Sequence, residues 1–298
     1  LYRYLMTLDP QFFIGIDGGG TSCRGGLCRR GASTRLQANA GPANVQRFDQ
    51  AIGSVFSVLD RLSAEAHLTY ASLGTGSIHL GLAGVLAKAD ADRVGSAIRS
   101  RYSFGAVSVS DDQVTTIEGA LGGVRGAVAA IGTGSFIGRK SELLRMVGGW
   151  GSIVGDQASG SYLGRRLLQE CLLAHDGLRD HSKLSREVMG LHGNIPASVV
   201  SFAHLASPAE LAGFAPAVIQ AATENDEIGV ELLREGAGYI ARAIGALGWK
   251  AEEPICLVGG IGPPYRQWLP AMMATAVAAA RGNALDGALS LASKGEQK

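Results

Sequence analysis

The sequence is short of most residues that specialised chemistry or a specialised environment demands. Its four cysteines, Cys23, Cys28, Cys171 and Cys256, are dispersed over 298 residues with no C-x-x-C pair. Neither a disulfide scaffold nor a zinc site is indicated, and a reducing cytoplasm is the expected home. Charged residues make up only 18% and cancel to a formal net charge of +1, which leaves no electrostatic footprint for nucleic acid. No apolar run reaches membrane-spanning length, so no membrane partner is expected. The opening Leu1-Tyr2-Arg3-Tyr4-Leu5 lacks the apolar centre of a signal peptide, and Met6 is a candidate natural start. The six histidines, His67, His79, His175, His181, His192 and His204, show no metal-ligand spacing and read as structural or surface residues. Two phosphate-binding signatures are also missing: no loop ends in Gly-Lys-Ser/Thr, and a Gly-x-Gly-x-x-Gly fingerprint begun at Gly18 would need its last glycine at Cys23. What the chain has instead is glycine, 43 residues of it, and an apolar share of 46%, ample for the cores of two domains.

The glycines fall at the ends of apolar runs. Phe12-Phe13-Ile14-Gly15-Ile16-Asp17 reads as a buried strand and runs into Gly18-Gly19-Gly20-Thr21-Ser22. Successive side-chain-free N–H groups make an anion-binding nest and the hydroxyls add donors, while Asp17 would repel a bare phosphate unless Mg²⁺ lay between them. A plain hairpin turn is the competing reading of the same residues. Arg24 to Leu36 reads as a second strand, and Phe48, Ile52, Val55, Phe56, Leu59 and Leu62 mark one face of a helix. Strands over 77–85 and 107–110 follow, the first preceded by Gly74-Thr75-Gly76-Ser77, which reads as a connector. The strand-to-glycine design recurs at 127–131, followed by Gly132-Thr133-Gly134-Ser135, and again at 255–258, followed by Gly259-Gly260. Between them lie a glycine-rich loop, 148–160, and a mostly helical middle. Strands alternating with helices define an α/β chain, and three strand-to-glycine loops are hard to explain as independent hairpins.

The order of Asp17-Gly18-Gly19-Gly20-Thr21, Asp112 before a helix, Gly132-Thr133-Gly134-Ser135, Gly148-Gly149-Trp150-Gly151 with Asp156, and Gly259-Gly260 resembles the sugar kinases of the actin, Hsp70 and hexokinase superfamily. Within it the chain is most similar to the N-acetylglucosamine kinase group with the BadF and BcrA type domain. Gly15-Ile16-Asp17 through Arg24, Asp156-Gln157-Ala158-Ser159-Gly160 and Leu172 to Arg179 look like the bacterial glucosamine kinase branch. The resemblance implies two ribonuclease-H-like domains with a cleft between them, over 10–112 and 113–285, with a C-terminal helix, 286–298, packing back on the first. It also implies an ATP-dependent kinase acting on the 6-hydroxyl of an amino sugar, with ATP as co-substrate and Mg²⁺ as cofactor, and it leaves homodimer formation open.

Residue by residue, the resemblance gives residues 18–21 and 132–135 to the phosphates, Asp17 to Mg²⁺, and Gly259 and Gly260 to the adenosine. Asn44, Gly149, Trp150 and Asp156 would contact the sugar. Asp112 would contact it too and take the proton of the attacking hydroxyl, with Asp111 a candidate to share that role. Asp112 before Gln113-Val114-Thr115 is equally well read as a helix N-cap, Trp150 as core, and Cys256 as a small core residue. Gly155-Asp156-Gln157 matches the glucosamine branch, where the N-acetylglucosamine enzymes commonly carry Glu for Gln157. Simple electrostatics pulls against a cationic amine there, and Gly149-Trp150-Gly151 looks like the N-acetylglucosamine enzymes. Glucosamine is the first expectation and N-acetylglucosamine the alternative. More remote are the activator ATPases, whose iron–sulfur cluster needs paired cysteines that are absent near residues 132–135, and the sugar-sensing repressors, whose helix-turn-helix has no room before Phe12.

Overall fold

The computed structural model of the chain describes residues 11–32 and 34–295; residues 1–6 and the last three residues of the expected C-terminal helix lie outside them. The chain divides into two compact units, one ending at Gly123 and resuming at Ala280, the other Val124–Ala279.

In the first unit, strands β1 (Phe12–Gly18), β2 (Cys23–Arg29), β3 (Arg35–Ala40), β4 (Gly76–Leu82) and β5 (Ala106–Ser110) form one sheet in the order β3-β2-β1-β4-β5. β1 runs antiparallel to β2, β2 antiparallel to β3, and β4 and β5 are parallel to β1. This is the ribonuclease-H-like order that the sequence resemblance implies. The single strand read between Arg24 and Leu36 is a hairpin of two, turning at Gly31, where φ is +75° and a glycine is favoured. Helices α1 (Phe48–Glu65), α2 (Tyr70–Leu73), α3 (Lys88–Arg101) and α4 (Asp112–Leu121) complete the run to Gly123. α1 buries Ile52, Val55, Val58, Leu59 and Leu62 as one stripe, the face its periodicity marks.

The second unit repeats the design. β6 (Gly126–Ile131), β7 (Ser135–Lys140), β8 (Leu144–Gly148) and β9 (Ile255–Val258) are ordered β8-β7-β6-β9, with β7 antiparallel to β6 and to β8 and β9 parallel to β6. An isolated parallel bridge, Ile255 to Val277, stands where the first sheet has its fifth strand. The helices are α5 (Gly160–His175), α6 (Lys183–Leu191), α7 (Pro196–Leu205), α8 (Pro208–Ala212), α9 (Ala215–Thr223), α10 (Glu227–Ala246) and α11 (Ala271–Ala276). Each unit has its own apolar core, around Ile14, Ile16, Ile78 and Leu80 in the first and around Ile131, Leu163, Leu232 and Ile240 in the second. Among the described residues no helix is long and apolar enough to cross a membrane.

The last helix, α12 (Ala284–Lys294), belongs to the first unit and packs on β1 and α4. Its partners explain two glycines. A Cβ on Gly119 would lie 1.9 Å from the Asn283 carbonyl oxygen, and one on Gly287 would lie 1.9 Å from that of Thr115. α4 and α12 therefore touch backbone to backbone. Ser290 Oγ donates to Glu118 at 2.9 Å, and Lys294 pairs with the same carboxylate. This contact corrects the expected boundary after residue 112: α4 stays with the first unit, and the chain changes unit at Gly123 and returns at Ala280, ahead of the expected residue 286.

Candidate functional site

Parallel topology places the chemistry-bearing loops of the first unit at one edge of its sheet. β1, β3, β4 and β5 all end there, since Gly18 pairs with both Cys23 and Leu82, Cys23 with Ala40, and Gly81 with Ser110. The edge beyond strand carboxyl ends is where open α/β sheets bind ligands. Here it carries Asp17 and the residue 18–22 loop after β1, Asn44 after β3, and Asp111-Asp112 after β5.

The first loop is a tight turn closed by Gly19 N–H donating to Ser22 O at 2.9 Å. It is tied to its neighbours by Ala83 N–H to Gly18 O at 2.8 Å and Ala43 N–H to Gly19 O at 2.9 Å. A Cβ on Gly18 would meet Leu82 at 2.5 Å, whereas one on Gly20 would meet nothing within 4 Å. Gly20, Thr21 and Ser22 are exposed and open to a ligand. Asp17 is buried, and Arg24, its cross-strand partner, donates through Nε to Oδ2 at 3.1 Å and pairs with the same oxygen through a second nitrogen. Arg24 was not among the residues singled out from sequence, although its place opposite Asp17 follows once β1 and β2 are paired. Among the described residues no group of three or more His, Cys, Asp and Glu could hold a metal. A lone carboxylate beside exposed hydroxyls and an arginine still fits Mg²⁺, which is held by one or two carboxylates plus substrate phosphates and water.

The pair Asp111-Asp112 resolves the competing sequence readings. The N-cap of α4 is Asp111, whose Oδ1 accepts Gln113 N–H at 2.8 Å. Asp112 is the first helical residue, so the capping role falls to its neighbour. Burial pushes the Asp112 carboxyl up to about 7, helped by the adjacent Asp111 carboxylate and by that of Asp17. The register brings the ends of β1 and β5 to one edge of the sheet. Asp17 sits opposite Gly81 and Gly81 opposite Ser110, two strand spacings or roughly 10 Å. Asn44 is also a cap: its Oδ1 accepts Gln46 N–H at 2.9 Å. That leaves its amide nitrogen as the group available to a ligand.

The second unit gathers its loops in the same manner, after β6, β8 and β9. Gly132-Thr133-Gly134-Ser135 forms the β6–β7 hairpin, with Gly132 N–H donating to Gly134 O at 2.9 Å. Its carbonyls hold the start of α5, through Gly160 N–H to Gly132 O at 2.8 Å and Ser161 N–H to Thr133 O at 3.2 Å. Thr133 is exposed, whereas the Ser135 hydroxyl is buried and donates to Gln157 O at 2.6 Å. Ser135 therefore shapes the loop, and Thr133 carries its open hydroxyl. Asp156 is buried, with φ at +55°, and accepts Gly151 N–H at 3.2 Å and the Ser135 backbone N–H. It ties the hairpin to the 148–156 loop, and burial raises its carboxyl despite those bonds. Gly149 N–H donates to Ser135 O at 3.0 Å. Trp150 is not core: it is 77% exposed, with Ile153 and Val154 similarly open.

Gly259 follows β9 with φ at +82°, and a Cβ there would lie 2.3 Å from Ile131 O. That carbonyl accepts Ile261 N–H at 3.0 Å, drawing the residue 259–262 turn against the end of β6. The two loops share a cavity of about 620 Å³, lined by Gly132, Thr133, Gly260 and Ile261 with Ala212, Pro216, Ile219 and Gln220 of the helical middle. Its size and largely apolar lining suit a small organic ligand. The four residues went unnoticed in the sequence: Ala212 ends α8, and only the spacing of Pro216, Ile219 and Gln220 marks one face of α9. Gly259→Ala is expected to displace this turn, lowering by at least tenfold the affinity of a small ligand that occupies the cavity, read by calorimetric titration, while far-UV circular dichroism is retained.

The strand order and the paired glycine loops define a class of phosphate-handling ATPase fold, and the comparisons agree. The chain belongs to the BadF/BadG/BcrA/BcrD ATPase family, whose model matches residues 14–268. It is 32% identical over 289 residues to the glucosamine kinase GspK of Vibrio cholerae, covering 96% of this chain and 97% of that one. Among solved structures it is similar to a candidate N-acetylglucosamine kinase from Chromobacterium violaceum, with a TM-score of 0.79 and 32% identity over 95% of this chain and 99% of the other. A second such candidate, from Porphyromonas gingivalis, has a TM-score of 0.67 at 18% identity over 94% and 97% of the two chains, and shares the fold.

Proposed function

We propose that the protein is an ATP-dependent amino-sugar kinase that phosphorylates the 6-hydroxyl of glucosamine. The likeness to a glucosamine kinase over 96% of the chain supports this reading, and the observation that carries it is Asp112, a buried carboxyl raised to about 7 at the same sheet edge as Asp17. The sugar oxygen attacks the γ-phosphorus of ATP, the bond from that phosphorus to the β–γ bridging oxygen breaks, and the hydroxyl proton passes to Asp112. A group that titrates near neutrality suits such proton removal. Asp17 would hold Mg²⁺, which neutralises phosphate charge when bound. Residues 18–21 and the 132–135 hairpin would position the phosphates, with Thr133 the exposed hydroxyl of the second loop. The Gly259-Gly260 turn would receive the adenosine. The amide nitrogen of Asn44, the Gly149-Trp150 loop and the exposed indole would meet the sugar, and Asp156 would act chiefly by holding that loop. A cytoplasmic location accords with an ATP-dependent reaction.

N-acetylglucosamine is the second reading, favoured by the open Trp150 ring, an apolar face on which an acetyl methyl could rest. A coupled assay across glucosamine, N-acetylglucosamine and glucose separates them. Glucosamine is expected to give the highest kcat/KM; preference for the acetylated sugar would select the second reading, and no turnover with any of the three would remove the kinase assignment.

A further inference from the structure

The cavity in the second unit has a side-chain lining that is apolar except at two places. Thr133 belongs to the phosphate-type hairpin, and Pro216 and Ile219 supply a flat aliphatic wall along one face of α9. On that same face stands Gln220, the one lining side chain that presents its donor and its acceptor on separate atoms. Its orientation is set from outside the cavity. Gln220 Nε2 donates to Glu224 Oε1 at 2.7 Å, and Lys183 Nζ donates to Glu224 Oε2 at 3.1 Å. Lys183 and Glu224 line a neighbouring hollow of about 520 Å³ that Gln220 also borders. The bond from Gln220, and after it the one from Lys183, holds the Glu224 carboxyl below its ordinary range. At neutral pH Glu224 is therefore an acceptor only, and the amide cannot turn its oxygen toward it without setting two acceptors face to face.

We infer that Gln220 reads the nucleobase of the bound nucleotide and that Glu224, steadied by Lys183, is a positioning residue that fixes which way the Gln220 amide faces. The inference rests on the kinase reading above. With one Nε2 hydrogen committed to Glu224, the amide offers Oε1 and its second hydrogen, an acceptor beside a donor. That pair matches the N6–H and N1 edge of adenine, a donor beside a ring-nitrogen acceptor, through the same kind of bidentate pairing that amide side chains make to this base at N6 and N7. Hypoxanthine reverses the pattern at the same edge, with an oxygen acceptor beside a ring N–H, and could be met only by a flipped amide. The locked Gln220 thus admits adenine and penalises a 6-oxopurine.

The test is calorimetric binding of ADP and IDP to the full-length protein, which needs no phosphoryl transfer. The wild-type protein is expected to bind ADP at least about tenfold more tightly than IDP. Gln220→Ala should bring the ratio close to one by weakening ADP. Glu224→Gln should narrow it from the other side, since a neutral amide at position 224 accepts either orientation of Gln220 and IDP then gains. An ADP:IDP ratio near one in the wild-type protein, or a ratio left unchanged by both variants, overturns the assignment of Gln220. Failure of both diphosphates to bind overturns the nucleotide reading of the cavity instead.

Discussion

Asp112→Asn is expected to lower kcat by roughly 10²–10⁴-fold, the range that removal of a general base commands, with sugar and ATP affinities much less affected. The variant is nearly isosteric and keeps the Asp111 cap of α4, so the loss would report proton transfer and not misfolding. A stability measurement gives an independent check. The folded-state carboxyl of Asp112 titrates near 7, above the ordinary range of an unfolded chain, so the folded state keeps the proton longer than the unfolded one. The stability associated with Asp112 is thus present at acid pH and is lost as pH rises through about 7. Asn, which carries no charge, escapes that loss. Asp112→Asn should raise the Tm at pH 8 and leave it nearly unchanged at pH 4. A general base held at the expense of stability behaves in this way, and a surface carboxylate does not.

Gly119→Ala is expected to have the largest effect on folding. The added methyl group would lie 1.9 Å from the Asn283 carbonyl oxygen and 3.1 Å from the Gly287 nitrogen. Backbone cannot swing away as a side chain can, so α12 must shift from α4 and from β1, against which Gly15 and Leu289 are also in close approach. Overpacking of this kind costs about 1–3 kcal/mol and sometimes more. The same substitution at Gly53, where a Cβ would meet nothing within 4 Å, should instead be neutral or slightly stabilising, because Ala is the better helix former. Urea denaturation of the two variants checks the contrast; equal midpoints would show that the α4–α12 contact is not close-packed.

Much of this architecture was visible in the sequence because its signals are local. Strands such as β1, β6 and β9 are apolar runs that stop at glycine, and α1 shows its stripe through side-chain spacing alone. The glycine turns that follow these strands were legible for the same reason. The parts that escaped depend on distant partners. The membership of α4 in the first unit is decided by α12, and in the sequence the only trace is a pair of small residues, Gly119 and Gly287, whose purpose appears when the helices meet. The division of labour between Asp111 and Asp112 turns on which of two adjacent carboxyls has non-helical backbone, a one-residue matter that propensity cannot settle. Asp156 was read as a sugar contact, and the bonds from Gly151 and Ser135 show the structural work it also performs. Ala212, Pro216, Ile219 and Gln220 carry no motif at all. They become a cavity wall only because the end of α8 and one face of α9 are folded beside the two glycine turns.

The pH dependence of kcat/KM, which reports ionisation of the free enzyme, tests the central claim most directly. With Asp112 as the base, kcat/KM should fall tenfold per pH unit below about 7 and level off above it, and Asp112→Asn should abolish that limb along with most of the activity. A variant that kept wild-type activity, or kept the same limb near neutrality, would contradict the assignment of Asp112.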